Sequence, residues 1–292
     1  MRHPPGVGGG VGAAEPERAK EIKMEIANSK GLHFSMRNPG PRRSRQTAGF
    51  KRTIGTVLTI LVLAAFGVAG GAYLTGLWKP TLRAAASYPV RGVDVSNHQG
   101  EVNWPMVASD KIVFAYLKAT EGGDFKDQRF AENWKKAEAA GVLRGAYHFF
   151  TFKTPGKTQA ENFIATVPRD PSALPPAVDL EFSGNGKPRP SVAEFRRELD
   201  DFLKRLRNRF RKEPVIYTSA EFYDPYLKGY PLKRLWIRDT FVAPRLPGGS
   251  RWLFWQFTDK GRIRGIRGDV DLNVFSGDWP GLKGMTGDAG NI

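Results

Sequence analysis

The sequence predicts an α/β fold: a modified β/α barrel with an irregular, helix-poor C-terminal third, preceded by a single transmembrane helix. Short apolar segments alternate with amphipathic helical segments through the middle of the chain, as in a sheet of mostly parallel strands. The later apolar segments follow one another without long helices between them. An uncharged stretch of 25 residues, 54–78, precedes this pattern.

The N-terminal part, residues 1–53, is rich in Gly, Pro and basic residues and is predicted to be a disordered cytoplasmic segment. Residues 54–78 are predicted to be a signal anchor, because a helix of that length spans roughly 30 Å of hydrocarbon. Five cations in residues 42–52 precede the stretch, and only Lys79 and Arg83 follow it closely. The positive-inside rule therefore places the N-terminus in the cytoplasm and exports the rest.

We thus expect a single-pass protein of the inner (cytoplasmic) membrane, with its C-terminal domain periplasmic or extracellular. The alternative is secretion after cleavage of a signal peptide, for which residues 70–72 or 84–86 supply small-residue cleavage sites. Met36 stands just before the basic cluster and is an alternative start of the chain.

Residues 79–89 are predicted to be a linker, residues 90–280 the barrel domain and residues 281–292 a flexible tail. Helices are predicted over 127–140, with Gly141 as C-terminal cap, and after Ser191, which stands in capping-box spacing with Glu194. Strands are predicted at 91–95, 112–118, 145–150, 177–181, 214–218, 235–237 and 252–257.

The composition excludes several classes of protein. There is no cysteine and there are four scattered histidines, so neither a disulfide framework nor a zinc hydrolase is expected. Residues 1–86 hold 13 Lys and Arg against 4 Asp and Glu, a charge of +9 out of a total of +16. Since more than half of the excess precedes the barrel, a nucleic-acid partner is not expected.

The most informative segment is Asp179-Leu180-Glu181, which follows the apolar residues 175–178. Alternation along a strand directs both carboxylates to one face, where mutual repulsion and desolvation raise at least one pKa. Such a pair suits acid-base chemistry. The simpler alternative is an Asp that caps a loop and a Glu that pairs with a surface Arg.

Two further acids follow the same logic. Asp94 lies in the predicted first strand, with Val93 and Val95 on the opposite face, and Asp271 lies in the segment 269–273. In β/α barrels the active site lies at the C-terminal ends of the strands, so these acids are expected to converge with Asp179 and Glu181.

The chain from about Tyr88 to Trp279, two thirds of the sequence, resembles the glycoside hydrolase family 25 lysozymes, which are N-acetylmuramidases. Seven segments in family order carry the resemblance: 91–96 (RGVDVS) with 99–100 (QG), 118–122 (KATEG), 145–149 (GAYHF), 176–181 (PAVDLE), 216–218 (IYT), 255–258 (WQFT) and 270–273 (VDLN).

The resemblance implies hydrolysis of the β-1,4 bond between N-acetylmuramic acid and N-acetylglucosamine in peptidoglycan, without metal or cofactor. Glu181 would be the general acid, and Asp179 either the nucleophile or the group that orients the substrate's acetamido group. Asp94 and Asp271 would shape the electrostatics of the site. The sugar cleft would be lined by Tyr147, Tyr217, Trp255 and Gln256.

Three points qualify the resemblance. Arg238 and Asp239 follow Leu235-Trp236-Ile237, where the family usually has a small residue. His148 is expected to be a hydrogen-bonded core or supporting histidine, since the acids fill both catalytic roles. The rival interpretations are a catalytically silent peptidoglycan-binding scaffold and a hydrolase of another N-acetylated glycan.

Overall fold

The structure is a computed structural model that describes residues 44–74, 80–245 and 251–287. Its first element, α1, is a continuous helix over Ser44–Leu74. Within it the 22 residues Lys51–Ala72, with a mean hydropathy of 2.1, are long and apolar enough to cross a membrane. A signal sequence near the N-terminus can have the same length and composition. The helix α1 is therefore a candidate for either a membrane span or a signal sequence.

The predicted bounds of the N-terminal region need correction. Residues 44–53 were expected to be disordered but belong to α1, because a helix propagates readily from an apolar nucleus and these residues contain no proline. The predicted span 54–78 is helical as far as Leu74, and residues 75–79 lie outside the described residues.

The predicted barrel is present. Eight strands close on themselves in the order β1, β2, β4, β5, β6, β7, β8, β9, and β9 pairs with β1. The strands β1 to β8 of the barrel are parallel, whereas β9 runs antiparallel to both of its neighbours. Their bounds are β1 Arg91–Val95, β2 Phe114–Glu121, β4 Leu143–Phe149, β5 Ala177–Leu180, β6 Val215–Ser219, β7 Leu235–Arg238, β8 Phe254–Gly261 and β9 Val270–Phe275, with a short β3, Phe125–Lys126, paired to β2.

Helices separate the strands in the first part of the barrel and become short after β6, as the sequence predicts. The bounds are α2 Pro80–Ala85, α3 Trp104–Ser109, α4 Phe130–Ala139, α5 Gly156–Thr166, α6 Val192–Phe210, α7 Ala220–Phe222, which continues into a π-helical turn Tyr223–Leu227, and α8 Trp279–Lys283. The helices α3 and α5 are not among those predicted from the sequence. Both are short, with six residues in α3 and eleven in α5.

The α6 helix shows how the sequence defines an element. The Ser191 hydroxyl accepts a hydrogen bond from the Glu194 amide, and the Glu194 carboxylate accepts one from the Ser191 amide, as the capping box predicts. The helix ends where Arg211 adopts a left-handed conformation. Its buried stripe packs on the outside of the sheet and consists of Phe195, Leu199, Phe202, Leu203, Leu206 and Phe210.

The barrel has two cores, because successive side chains of a strand point to opposite faces. The outer core lies between strands and helices, and the inner core fills the barrel with aromatic residues that include Phe114, Tyr116, Trp236 and Phe254. The rings leave little space around them: a Cβ at Gly92 would lie 2.4 Å from the Phe114 ring. The inner core thus fills one end of the barrel, and polar side chains occupy the opposite end.

The predicted linker and tail are also part of the fold. In the segment 79–89, α2 packs on the barrel, with Ala85 buried and the Thr81 hydroxyl donating to the Phe257 carbonyl at 2.7 Å. In the predicted tail, Leu282 is fully buried and the Gly287 amide donates to the Pro171 carbonyl at 2.7 Å. Residues 288–292 lie outside the described residues.

Candidate active site

A cleft opens at the end of the barrel where the parallel strands have their carboxyl termini. It has a large lobe of about 640 Å³ and a small lobe of about 310 Å³. Residues that line both lobes mark the junction between them, and these are Asp94, Tyr147, Asp179, Glu181, Ser183 and Asp271. The four acids predicted from the sequence therefore lie together, between the two lobes.

Asp179 and Glu181 belong to the end of β5. Asp179 is inside the strand, only 8% exposed, and Glu181 follows its last residue. The buried Oδ1 atom of Asp179 has no hydrogen-bond partner among the described residues. Burial and the adjacent Glu181 raise the pKa of Asp179 well above its usual value, and burial also raises the pKa of Glu181.

Asp94 and Asp271 face each other across the β1–β9 pair. Asp271 lies near the start of β9 and still reaches this end of the barrel, because β9 is antiparallel to the other strands. Burial raises the pKa of Asp271 to about 9, with a further contribution from the charge of Asp94. Burial also raises the pKa of Asp94, to about 6, although hydrogen bonds from Asn273 and Gln256 oppose the shift.

Two amides hold Asp94 in place. Gln256 and Asn273 donate to the same Asp94 oxygen, Oδ2, at 2.9 and 2.7 Å. The orientation of each amide is fixed in turn by a ring: the Tyr217 hydroxyl donates to Gln256 Oε1 at 2.9 Å, and the Trp236 indole donates to Asn273 Oδ1 at 2.8 Å. The expected cleft residues Tyr217 and Gln256 thus line the large lobe and also support Asp94.

Trp255 does not line the cleft, which corrects the expectation for this residue. Its side chain belongs to the outer core, fully buried against Tyr88 and Trp252, and its indole donates to the Asp239 carbonyl at 2.8 Å. Trp236 occupies the cleft wall instead. The alternation along the two strands separates them: Trp236 shares the inward face of β7, whereas Trp255 points outward from β8.

Cations approach the acids from both lobes. In the large lobe Arg238 pairs with Asp259 at 2.9 Å, and its charge lowers the pKa of Glu181. In the small lobe Lys118 pairs with Glu121 at 2.7 Å. Neither cation neutralises the carboxyl groups at the junction, since each has a carboxylate partner of its own.

His148 is a fully bonded core residue, as expected. Its Nε2–H donates to Gln159 Oε1 at 3.0 Å, and its Nδ1 accepts from the Thr120 hydroxyl at 2.7 Å. Gln159 uses its own amide group for the Thr151 and Thr154 carbonyls, which fixes this orientation. Burial lowers the pKa of His148 to about 4, so the ring is neutral.

The arrangement supports proton transfer between a carboxyl group and a bound ligand. A carboxyl group with a raised pKa holds its proton to higher pH and can serve as an acid. Asp179 lines both lobes, and its buried Oδ1 has no hydrogen-bond partner among the described residues. Among the described residues, no group of three or more His, Cys, Asp or Glu side chains is arranged to hold a metal ion.

Comparison with known proteins agrees with this geometry. The profile of the family described as "Glycosyl hydrolases family 25" matches residues 93–266. The uncharacterized protein YegX of Escherichia coli is 36% identical over 210 residues, which cover 70% of this chain and 76% of that protein. Lysozyme M1 of Streptomyces globisporus is 38% identical over 209 residues, or 68% of this chain and 71% of that protein.

Solved structures give the same result. The bacterial lysozyme from Streptomyces coelicolor superposes with a TM-score of 0.63 at 36% identity, covering 68% of this chain and 96% of that chain. The superposed share corresponds to the barrel in length, and it leaves the remainder of the chain without a counterpart.

Proposed function

The chain belongs to the glycosyl hydrolases family 25, and from this membership we propose that it hydrolyses the β-1,4 bond between N-acetylmuramic acid and N-acetylglucosamine in peptidoglycan. The observation that carries the proposal is the group of four acids at the junction of the two lobes. A glycan strand in the cleft would place one glycosidic bond beside these acids. Relatives named lysozyme and N,O-diacetylmuramidase support the choice of substrate.

Glu181 is the general acid in this proposal. It is less buried than Asp179, and burial raises its pKa, which favours the protonated form that a general acid needs. It gives its proton to the glycosidic oxygen as the bond to the leaving sugar breaks. The positive charge of Arg238 opposes the rise in pKa and so favours release of that proton.

Asp179 stabilises the positive charge that develops at the anomeric carbon. Its unpartnered Oδ1 is suited to two routes: direct attack on the anomeric carbon, or a hydrogen bond from the acetamido N–H while the acetamido oxygen attacks. Asp94 and Asp271 lie close to Asp179, and their negative charges raise its pKa further. A proton is therefore retained among these carboxyl groups.

Two measurements separate these routes. Covalent attachment of a sugar to Asp179, detected by intact mass after reaction with an activated muramyl substrate, identifies direct attack. Strong competitive inhibition by a thiazoline analogue of N-acetylmuramic acid, without a covalent adduct, identifies participation of the acetamido group.

For location, we propose that α1 anchors the protein in the cytoplasmic membrane with the N-terminus inside and the barrel outside. The apolar window of α1 and the basic residues that precede it support this topology. The alternative is secretion after cleavage. N-terminal sequencing of the barrel recovered from cells distinguishes the two, because cleavage removes α1.

The test of the activity uses the full chain in detergent with purified peptidoglycan. Mass spectrometry of the soluble products should show new reducing ends on N-acetylmuramic acid. Reducing ends on N-acetylglucosamine would assign the other bond, release from chitin strands alone would assign another N-acetylated glycan, and binding without release would assign a scaffold. Each of these three results contradicts the proposal.

A further inference from the structure

A hydroxyl group in the large lobe has no partner. Ser219, the last residue of β6, is 8% exposed and lines the lobe, and its Oγ atom is buried without a hydrogen-bond partner among the described residues. A buried hydroxyl that makes no hydrogen bond costs free energy, so such groups are uncommon unless a ligand completes them.

Arg238 is the direct neighbour of Ser219. The two residues are paired in register across β6 and β7, and both side chains line the large lobe. Arg238 gives one hydrogen bond, from Nη2 to Asp259 Oδ2 at 2.9 Å. A guanidinium group has five N–H donors, so most of them stay available to a ligand.

The bond to Asp259 also fixes the guanidinium group. Asp259 lies on the adjacent strand β8, and the charged pair restricts the Arg238 side chain, which is 34% exposed. Arg238 is the only Lys or Arg among the described residues that line the large lobe. It therefore presents a single, oriented positive charge to a ligand in that lobe.

An anionic ligand beside Arg238 does not face seven charged acids. Asp259 is already paired with Arg238, and burial holds Asp271 in its neutral form by raising its pKa to about 9. Burial shifts the pKa values of Asp179 and Glu181 in the same direction. The other acids of the lobe are Asp94, Glu221 and Asp239, so the subsite is confined to the edge where Arg238 and Ser219 offer free donors.

We propose that Arg238 and Ser219 form a subsite for a carboxylate of the substrate, which makes the enzyme select acidic glycans over neutral N-acetylated ones. The guanidinium group binds the carboxylate through paired N–H donors, and the Ser219 hydroxyl donates to one of its oxygens. This inference rests on the proposed function and adds to it the chemical group that is recognised.

In peptidoglycan the carboxylate has two sources. It belongs to the lactyl group of N-acetylmuramic acid where the stem peptide has been removed, and to the stem peptide where the stem is present. Both present the same chemistry to Arg238, so the experiment must separate them.

The experiment compares the full chain and its Arg238→Ala variant on three glycans: intact peptidoglycan, strands freed of stem peptides, and the same freed strands with the lactyl carboxylates reduced to alcohols. We expect Arg238→Ala to lower kcat/KM by about 10- to 100-fold on a carboxylate-bearing glycan, which is the usual effect of losing a charged hydrogen bond. On the reduced strands only the electrostatic effect of Arg238 on Glu181 remains, so the loss there should be smaller by about threefold or more.

The pattern of losses identifies the source. A loss on freed strands assigns the lactyl carboxylate, and a loss confined to intact peptidoglycan assigns the stem carboxylate. An equal loss on reduced and unreduced strands would overturn the subsite and give Arg238 only an electrostatic effect on Glu181. An unchanged kcat/KM on all three glycans would overturn it as well.

Two further variants complete the test. Ser219→Ala should reduce kcat/KM by about threefold to tenfold on the same carboxylate-bearing glycan and have little effect on the reduced strands. Arg262→Ala removes a comparable Arg–Asp pair, to Asp269 at 3.0 Å, from an exposed position that does not line either lobe, and serves as the matched control.

Failure of the proposed function gives a different result. If the unmodified protein releases no product from any strand, the activity is wrong, and the subsite is then tested by calorimetric binding of a muramic acid disaccharide. Binding that weakens about tenfold or more in Arg238→Ala supports the subsite, and equal binding overturns it.

Discussion

Tyr147 and His148 are consecutive residues of β4, and their side chains enter two different polar environments. Tyr147 faces the cleft and the four acids, whereas His148 is fully buried in the outer core. Around His148 both ring nitrogens have partners. Around Tyr147 an Asp179 oxygen has none, and the nearby carboxyl groups have raised pKa values.

The difference shows how one barrel uses buried polar groups in two ways. A satisfied buried network orders the fold and tolerates little change. An incompletely satisfied one costs stability and keeps groups free for a ligand, which is typical of active sites. The two environments differ in whether hydrogen bonds are complete, and substitutions on each side should therefore have different consequences.

The largest effect is expected for Glu181→Gln. The amide keeps the size of the side chain and removes the proton donor, so kcat on peptidoglycan should fall by about 10²- to 10⁴-fold with little change in thermal stability. Release of soluble muropeptides measures the first quantity and circular dichroism the second. Glu213→Gln, at an ion pair with Arg207 outside the cleft, is the control. Undiminished activity of Glu181→Gln would refute the acid assignment.

On the satisfied side, His148→Leu should cost about 3 kcal/mol in the free energy of unfolding, because Thr120 and Gln159 both lose a buried partner. The value of kcat/KM for the folded fraction should change by less than about threefold. Chemical denaturation at pH 7.5 measures the loss. The exposed His98→Leu should leave the unfolding free energy within about 0.5 kcal/mol.

The lowered pKa of His148 also predicts how the stability of the unmodified protein depends on pH. Its pKa is lowered from 6.5 to about 4, so the unfolded chain binds the proton first as the pH falls. This histidine therefore destabilises the fold progressively between pH 6.5 and pH 4, by about 3 kcal/mol in total. In His148→Leu this part of the acid-induced loss in unfolding free energy should be absent. An unchanged slope of unfolding free energy against pH would contradict the assignment of His148 as a neutral buried ring.

The next effect has the opposite sign. Asp271→Asn should stabilise the fold by about 2 kcal/mol at pH 8, because the raised pKa, about 9, reflects a carboxylate that burial disfavours. The folded chain holds this proton between pH 3.8 and pH 9, so the unmodified protein loses stability as the pH rises through that range. Thermal denaturation at pH 5 and pH 8 should show the gain chiefly at pH 8, and a destabilised variant at pH 8 would contradict it.

Activity should move the other way in the same variant. If Asp271 contributes to the proton balance of the cluster, Asp271→Asn is more stable and less active. A gain in stability together with a loss in activity is the usual signature of a residue retained for function.

The comparison of the two environments also shows which parts of the site the sequence could predict. The strand period placed Asp94, Asp179 and Glu181 on inward faces, and the barrel rule brought their strand ends together. The period could not distinguish the two tryptophans, because each stands within a short apolar segment and the inward face of β8 is set by its register with β7. Trp236 was therefore missed, and Trp255 was assigned to the wrong side.

The free hydroxyl and the guanidinium group were also beyond the sequence. Arg238 attracted attention only as a departure from the family pattern, and nothing in the sequence links it to Ser219. Their pairing depends on the register of β6 and β7. The α3 and α5 helices are short, with six and eleven residues, so their hydrophobic pattern is weak, although Asn103 caps α3 and Pro105 stands in its first turn.

The smallest expected effect comes from two buried tyrosines inside the barrel. Comparing them separates a contribution to the active site from a contribution to the stability of the fold. Tyr217→Phe removes the hydroxyl that donates to Gln256, and Tyr116→Phe removes one that donates to the Pro175 carbonyl at 3.2 Å, outside both lobes. Each loss should cost about 1 kcal/mol in unfolding free energy. Only Tyr217→Phe should change activity, by about threefold to tenfold in kcat/KM.

The reason lies in the chain of hydrogen bonds from Tyr217 through Gln256 to Asp94. Without the hydroxyl, the Gln256 amide is free to turn, and its bond to Asp94 Oδ2 no longer favours the ionised form. The pKa of Asp94, about 6, should then rise, and the acidic limb of the pH profile of kcat/KM should move to higher pH. The limb should stay in place in Tyr116→Phe. Equal pH profiles in the two variants would show that Tyr217 supports only the fold, as its neighbour in the inner core does.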